Sequence, residues 1–314
     1  MSANATFSAY AVPARDPERW HRTRLYAAAA ASLLLLVTIA FYGADYYLLG
    51  PAERPFSAKH ALLKPSGLIG IKLGMLGVGL FLLIFLYPLR KRVPWLARRG
   101  KSKHWLDFHI VAGLTAPVVI AFHSSFKFHG LAGMAFWIMT AVALSGIIGR
   151  YIYAQIPRSL DSAEISLKEL EGAQEELTRE LEGQAIVRSA DLQRLLRMRS
   201  AEEVRRMPLY RALLLMIALD VARPFRVARL RLHALGWSGG ALITLGGLLA
   251  SPNRELERVV QTARRKAALS KRIAFLSRTQ QVFHLWHVIH RPFSYSFAVL
   301  ALIHIAVVLL LGYM

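Results

Sequence analysis

Residues 104–130 read HWLDFHIVAGLTAPVVIAFHSSFKFHG, a largely apolar stretch that carries His109 and His123 fourteen positions apart. On an α-helix, fourteen residues turn about 1400°, roughly 40° short of four full turns, and rise about 21 Å. The two imidazoles are therefore expected on one helix face. Because the hydrocarbon core of a bilayer is about 30 Å thick, a helix that crossed it would hold one histidine near each side.

The same interval recurs near the end of the chain. Residues 286–305 read WHVIHRPFSYSFAVLALIHI, in which His290 and His304 are also fourteen positions apart. Ionisable residues within membrane spans are costly and are candidates for function. Two such helices side by side would form two His/His pairs stacked across a membrane. The alternative is that all four histidines are hydrogen-bonded packing residues of helix interfaces.

The composition favours a membrane protein. The mean hydropathy is +0.37 and 55% of the residues are hydrophobic, yet the chain has 40 Lys and Arg against 19 Asp and Glu. Long apolar blocks alternate with basic ones, which is typical of membrane spans with basic flanks and does not form the soluble basic face of a nucleic-acid-binding protein. There is no cysteine, which excludes disulfides, cysteine-ligated clusters and covalent c-type haem on this chain. Histidine remains as the natural ligand for a non-covalent haem.

Charge asymmetry predicts the direction of each span. The loop 90–103 holds seven Lys and Arg and no acid, and the positive-inside rule places it in the cytoplasm. The third and last spans then run parallel, from inside to outside. His109 is expected to meet His290 near the inner side, and His123 to meet His304 near the outer side. The predicted spans are residues 25–49, 66–89, about 105–126, about 131–153 and about 281–312.

These spans predict an all-α integral membrane protein, a bundle of about five transmembrane helices with a cytoplasmic helical insertion. The insertion carries 22 Lys and Arg and 14 Asp and Glu. The expected N-terminus is cytoplasmic and the expected C-terminus periplasmic, in a bacterial inner membrane. The predicted segments are a cytoplasmic tail (1–24), four transmembrane helices (25–156), a cytoplasmic or interfacial helical segment (157–280) and a final transmembrane helix (281–314).

Three stretches within the insertion have their own patterns. Residues 161–182 hold eight acids, with leucines recurring on one side, and predict a solvated amphipathic helix. Residues 209–222 and 233–250 are apolar but have arginines on both flanks, so a single crossing by either would leave arginines outside. Helices that lie in the membrane interface, or re-enter it, are favoured for both stretches.

The paired histidines and the two quoted segments resemble the membrane di-haem b-type cytochromes, a group that includes quinol-linked cytochrome b subunits and ferric-reductase-like proteins. The resemblance covers roughly the third, fourth and last spans, under half of the chain. It implies a helical bundle with two non-covalent b-type haems, transmembrane electron transfer, and axial ligation by His109, His123, His290 and His304.

Electron donor and acceptor are expected to be other molecules. The chain shows no nucleotide-binding fingerprint, flavin domain or cluster motif. A quinol pool or a cytoplasmic-side donor is expected at one side, with quinone as a further ligand. Other subunits of a membrane redox complex are expected at the other side, including an extracytoplasmic redox protein such as a multihaem c-type cytochrome.

Several residues are candidates to support the haems. Gly113, one turn beyond His109, would let a flat porphyrin approach the helix, although ordinary small-residue packing explains it as well. Haem propionates need cationic partners, and the alternative for each candidate is a basic side chain reaching the membrane interface. The inner candidates are Arg150 and Arg291, and the outer ones are Lys127, Lys59 and Lys72.

Alternatives remain open at both the site and the function. His287 competes with His290 as a ligand, while His60, His104 and His129 are candidates for a quinone site. Asp45 is placed to pair with Lys72. The competing function is a membrane scaffold or binding subunit in which the histidines, or haem, are structural. A metal transporter ranks last, because the spans lack the acidic residues that usually accompany such sites.

Overall fold

The computed structural model describes residues 17–156, 167–184, 187–235 and 244–312. Within these ranges the chain is helical and contains no β-strand. The helices are α1 (Pro17–Tyr47), α2 (His60–Leu63), α3 (Leu68–Arg90), α4 (Pro94–Ala97), α5 (Ser102–His123), α6 (Gly130–Gln155), α7 (Leu167–Glu182), α8 (Ser189–Leu196), α9 (Ala201–Arg206), α10 (Leu209–Leu235) and α11 (Arg254–Leu310), with a short 3-10 turn at Arg54–Phe56.

Five helical stretches of the described chain are long and apolar enough to cross a membrane. The most apolar part of each has a mean hydropathy between 1.7 and 2.4. This confirms the expectation of an all-helical chain with about five candidate spans. The five stretches are Glu18–Tyr47, His60–Arg90, Ser102–His123, Gly130–Gln155 and Arg254–Leu310.

The chain divides into two compact units. The first comprises Met1–Gly146 and His290–Met314, and the second comprises Ile147–Ile289. Helices α6 and α11 each run from one unit into the other. All four histidines of the repeated interval belong to the first unit.

In the first unit, α5 packs mainly against α3 and also against α1. Val119 and Phe122 of α5 form a buried core with Leu73 of α3 and Ile39 of α1. Dispersion contacts among these four side chains hold this face of α5 against its two neighbours. This packing of α5 against α3 and α1 sets the position of His123, which directly follows Phe122.

A buried arginine ties the loop after α1 to the end of α5. Arg54 donates hydrogen bonds to the carbonyls of Leu49 (3.1 Å), Tyr47 (2.9 Å) and Ser125. Ser125 is itself fully buried, and its hydroxyl donates to the Leu63 carbonyl at 2.8 Å. Buried polar groups that are all paired rigidify the backbone around them. The segment immediately after His123 is therefore fixed from two sides.

The structure adds a detail to one prediction near the N-terminal half and corrects another. Helix α1 begins at Pro17, within the segment 1–24 that was expected to be a tail, and His21 lies buried 3.0 Å from the Asp107 carboxylate. The expected Asp45–Lys72 pair is wrong, because Asp45 pairs with Lys59 at 2.7 Å. The loop after α1 folds back and brings Lys59 to the C-terminal end of that helix, a proximity that sequence spacing does not reveal.

The second unit has its own hydrophobic core, built from α7, α8, α10 and the first turns of α11. Its members include Leu181, Leu195, Leu230 and Val260, each at most 6% exposed. The predicted acidic helix is present from Leu167, while residues 161–166 lie outside the described residues. The unit is thus a packed helical body rather than a string of isolated helices.

The apolar stretches of this unit differ in extent from the expectation. The stretch 209–222 is the first half of α10, which continues through Pro224 to Leu235 and is not among the five candidate spans. In the stretch 233–250, α10 ends at Leu235, residues 236–243 lie outside the described residues, and residues 244–248 form turns.

Helix α11 is longer than the predicted last span. It runs without interruption from Arg254 to Leu310, so the predicted boundary at residue 281 falls within the helix. No glycine or proline occurs between Arg254 and Arg291 to end it, and Pro292 is accommodated inside. One continuous helix therefore joins the core of the second unit to His290 and His304.

Candidate functional site

The first unit contains a cavity of about 590 Å³ onto which His123 of α5 and His304 of α11 both open. Most of the other side chains around it are apolar, among them Phe81, Met139 and Phe297. The structure thus brings together the two histidines that the repeated interval predicts for the outer side. The volume of the cavity falls within the range of about 300–1,000 Å³ that is usual for small-molecule and cofactor sites.

His123 is held in one orientation and one tautomer by α3. Its Nδ1 lies 2.8 Å from the carbonyl oxygen of Gly70. Because a carbonyl can only accept, Nδ1 carries a proton, and in the neutral imidazole the lone pair is then on Nε2. Fixing the ring through the second nitrogen is how proteins orient metal-binding imidazoles. Nε2 of His123 is accordingly the nitrogen available to a metal.

Two glycines of α3 make this arrangement sterically feasible. A Cβ added to Gly74 would lie 2.8 Å from Cε1 and 3.0 Å from Nδ1 of His123. A Cβ added to Gly77, nearly one turn later, would collide with the side chain of Ile120. Only residues without side chains allow α3 and α5 to approach so closely. Sequence reasoning missed this role, although the signal was present as glycines 70, 74 and 77.

His109 and His290, the histidines predicted for the inner side, are also held through Nδ1 by a neighbouring helix. His109 Nδ1 lies 2.9 Å from the carbonyl of Ile84 on α3. His290 Nδ1 lies 2.8 Å from the hydroxyl of Ser145 on α6, and that hydroxyl donates to the Val142 carbonyl at 2.8 Å. With its proton engaged, Ser145 accepts from His290. A hydrogen bond at Nδ1 to a neighbouring helix is therefore present for three of the four histidines.

His109 and His290, the two histidines predicted for the inner side, do not line the cavity of about 590 Å³. His109 also lies beside Tyr87, with ring centroids 5.3 Å apart. An added Cβ at Gly113 would meet no heavy atom within 4 Å, so the helix surface beyond His109 is open.

The candidate cations fall into two groups. Lys127 lines the cavity, as do Lys64 and His60, and sequence reasoning missed Lys64. Arg291 is exposed next to His290. Arg150 belongs to the second unit, where its guanidinium lies 6.0 Å from the ring centre of Tyr153. The structure therefore assigns Lys127 to the outer cavity and does not bring Arg150 or Arg291 to it.

The remaining histidines have varied surroundings. His60 lies 3.2 Å from the Tyr46 hydroxyl and lines the cavity. His104 stacks on His21 with ring centroids 3.6 Å apart, and His129 is exposed. His287 Nδ1 lies 3.1 Å from the Phe283 carbonyl of its own helix, so it too has an oriented ring.

The outer cavity fits a haem by the chemistry of its donors. Three imidazoles line it, those of His60, His123 and His304, and most of the remaining lining side chains are apolar. Lys64 and Lys127 offer cations for propionates. Over the described ranges, no group of three or more His, Cys, Asp or Glu side chains is arranged to hold a bare metal ion; a bis-imidazole haem requires two ligands.

Comparison of the chain with protein-family models, curated proteins and solved structures yields no significant match.

Proposed function

We propose that this chain is a multi-pass protein of a bacterial inner membrane that conducts electrons across the bilayer by means of two bis-histidine b-type haems. One observation carries the proposal: His123 and His304, which come from helices far apart in sequence, open onto one apolar cavity. Helices of sufficient length and hydropathy to span a membrane supply both residues.

Each pair of histidines has a defined task. His123 and His304 would hold the outer haem, and His109 and His290 the inner one. When bound, such a group would supply reversible one-electron chemistry. Gly70, Ile84 and Ser145 keep the rings oriented through their Nδ1 atoms.

The rest of the site excludes water and balances charge. Aromatic and aliphatic side chains of α3, α6 and α11 line the outer cavity and would limit the access of water to a bound haem. Lys127 and Lys64 would neutralise the outer propionates, and Arg291 and Arg150 are proposed for the inner ones. Gly113 leaves an open helix surface for the inner haem.

Charge asymmetry supports an N-terminus in the cytoplasm and a C-terminus in the periplasm, with the second unit as a cytoplasmic insertion. The basic loop 90–103 would then face the cytoplasm. Since the chain offers histidines but no flavin or cluster motif, its partners would supply the substrate chemistry. A quinol or cytoplasmic-side donor and an extracytoplasmic redox protein are proposed, with quinone as a further ligand.

A scaffold subunit is the second candidate function. It is favoured by the separate hydrophobic core of the second unit, since none of the described residues that line the outer cavity belongs to that unit. In that case haem, if bound, would be structural.

Haem content per chain tests the proposal. The purified protein should hold two b-type haems by its pyridine haemochrome spectrum. His123→Ala and His304→Ala should each lose the same haem and retain the other, whereas His109→Ala should lose the second. His129→Ala is the matched control, because that residue is exposed, and it should retain both.

Retention of both haems in His123→Ala and His304→Ala would refute the outer site. Loss of the inner haem in His287→Ala, but not in His290→Ala, would transfer that ligand role to His287. Two haems that neither a quinol analogue nor a copurifying redox protein could reduce or oxidise would favour the scaffold.

A further inference from the structure

Helix α10 of the second unit exposes a continuous apolar stripe. Its members recur at intervals of four, three, four and four residues, which places them within an arc of about 80° on one helix face. Each is between 40% and 64% exposed, a large fraction for side chains of this size. The stripe consists of Tyr210, Leu214, Ile217, Val221 and Phe225.

The opposite face of α10 is buried within the unit. Ala212 and Met216 pack with Val204 and Phe275, and farther along Leu230 joins the core against α11. The helix is therefore anchored by one side, and the stripe faces away from both cores. Its length from Tyr210 to Phe225 is about 22 Å at 1.5 Å per residue.

A turn beyond the helix extends the apolar surface. Gly247 lies against the backbone of Ala228, where an added Cβ would collide with the Ala228 carbonyl. Arg231 fastens the turn by donating to the carbonyls of Gly247 (2.9 Å) and Leu248 (3.2 Å). Ala228 comes three residues after Phe225, on the face of the stripe. The turn thereby adds three exposed leucines, Leu245, Leu248 and Leu249.

The charges beside the stripe are positive. Helix α10 contains five arginines and one acid, Asp220. That carboxylate faces inward and is engaged by Lys271 at 2.6 Å and by Arg223 at 2.6 Å. Arg211 and Arg229 are both exposed and lie eighteen residues, or five full turns, apart. They therefore line the same edge of the stripe.

We propose that this stripe and its flanking arginines bind the surface of an anionic phospholipid bilayer, with α10 lying parallel to it. An exposed apolar face bordered by arginines is the composition of an interfacial helix. Acidic headgroups complement Arg211 and Arg229. The unit continues into α6 and α11, two candidate spans, so a bilayer is within reach. The inference rests on the membrane location and not on haem.

Single-cysteine spin labels test the proposal, because the native chain contains no cysteine. The full-length protein would be labelled at Leu214→Cys or Val221→Cys, each 62% exposed, and placed in lipid nanodiscs. One set of discs contains phosphatidylcholine only, and the other contains phosphatidylcholine and phosphatidylglycerol. Collisions with oxygen report lipid, and collisions with a nickel chelate report water. Leu302→Cys is the control for a lipid-facing span, and Glu175→Cys is the control for solvent.

In the anionic discs both stripe labels should resemble Leu302→Cys, with oxygen collisions exceeding nickel collisions. Arg211→Gln combined with Arg229→Gln should shift that ratio toward the Glu175→Cys value. Stripe labels that match Glu175→Cys in both lipids would overturn the proposal, as would labels shielded from both reagents, which would indicate a protein partner or a second copy. If Leu302→Cys itself reports water, the membrane location fails and the proposal fails with it. None of these readings depends on haem content.

Discussion

The imidazole of His123 rests against the bare backbone of Gly74. A Cβ at residue 74 would approach Cε1 of the ring to 2.8 Å, closer than side-chain contacts allow. One turn earlier on α3, the Gly70 carbonyl receives the Nδ1 proton of the same ring at 2.8 Å. Helix α3 thus sets both the position and the tautomer of a side chain that belongs to α5.

Gly74→Ala is therefore expected to displace His123 and lower the occupancy of the outer haem at least several-fold. The inner haem should remain, because Ile84 and Ser145 anchor His109 and His290 independently. Haem per chain after purification is the measurement. Gly79→Ala on the same helix is the control, since its added Cβ meets nothing within 4 Å. Equal occupancy in the two variants would contradict this role of Gly74.

Ser145→Ala is expected to weaken binding of the inner haem about tenfold, the lower end of the usual effect of removing a hydrogen-bond partner from a metal-binding histidine. The reason is that His290 Nδ1 loses its acceptor at 2.8 Å. Titration of the purified apoprotein with haem measures the affinity. Ser296→Ala, whose hydroxyl bonds only to its own helix at Pro292, should bind as the wild type does. A normal affinity for Ser145→Ala would show that the hydrogen bond is dispensable.

Arg231→Met is expected to destabilise the second unit by about 3 kcal/mol, the usual cost of leaving one charge of a buried pair uncompensated. Arg231 is 5% exposed and holds Glu257 through two hydrogen bonds of 2.7 and 2.8 Å. Thermal unfolding of the full chain, with proteolysis of the unit, would measure the loss. Adding Glu257→Leu should recover part of it, whereas the exposed Arg229→Gln should have little effect. A wild-type unfolding curve for Arg231→Met would argue against the pair.

The second unit is also expected to lose stability in acid. The hydrogen bond from His233 at 3.0 Å, aided by Arg188, lowers the pKa of the buried Asp191 carboxyl below its usual 3.8. A carboxyl with a depressed pKa in the folded state stabilises that state above its unfolded pKa and stops doing so as the pH falls through the folded value. Asp191→Asn should cost about 1 kcal/mol at neutral pH.

Thermal unfolding across a pH series checks this expectation. The difference between wild type and Asp191→Asn should shrink as the pH falls below about 4. Glu202→Gln, at an exposed ion pair, should show a much smaller difference throughout. A difference for Asp191→Asn that persists unchanged into acid would mean that the carboxylate charge is not what stabilises the unit.

The proposed topology makes a separate prediction. Reporter fusions near Gly100 and after Met314 should report opposite compartments, because the basic loop 90–103 is expected inside and the last span is expected to end outside. Alkaline phosphatase and a fluorescent protein provide complementary readouts. Reports from the same compartment would mean that the stretch containing α10, or residues 233–250, adds an unpaired crossing.

Local sequence patterns anticipated the helical character of the chain. Apolar runs long enough to span a bilayer predicted five candidate spans, and the repeated interval placed His123 and His304 on matching helices. These features depend on hydropathy and helical periodicity, which are properties of neighbouring residues. The extents of α10 and α11 were underestimated, because charged residues suggested boundaries at which the helices do not end. Helix α10 continues through Pro224, and α11 has no glycine or proline between Arg254 and Arg291.

Contacts between distant residues required the tertiary structure. Nothing in the sequence joins Gly70 to His123, Ser145 to His290 or Lys59 to Asp45, because each contact depends on how two helices cross or on how a loop returns. The sequence alone predicted which histidines share a helix face, because the number of residues between two positions on a helix fixes their rotation about the axis and their separation along it. The residues that contact each histidine depend on how the helices pack, because the position and angle at which two helices cross determine which residues of the second helix lie beside it.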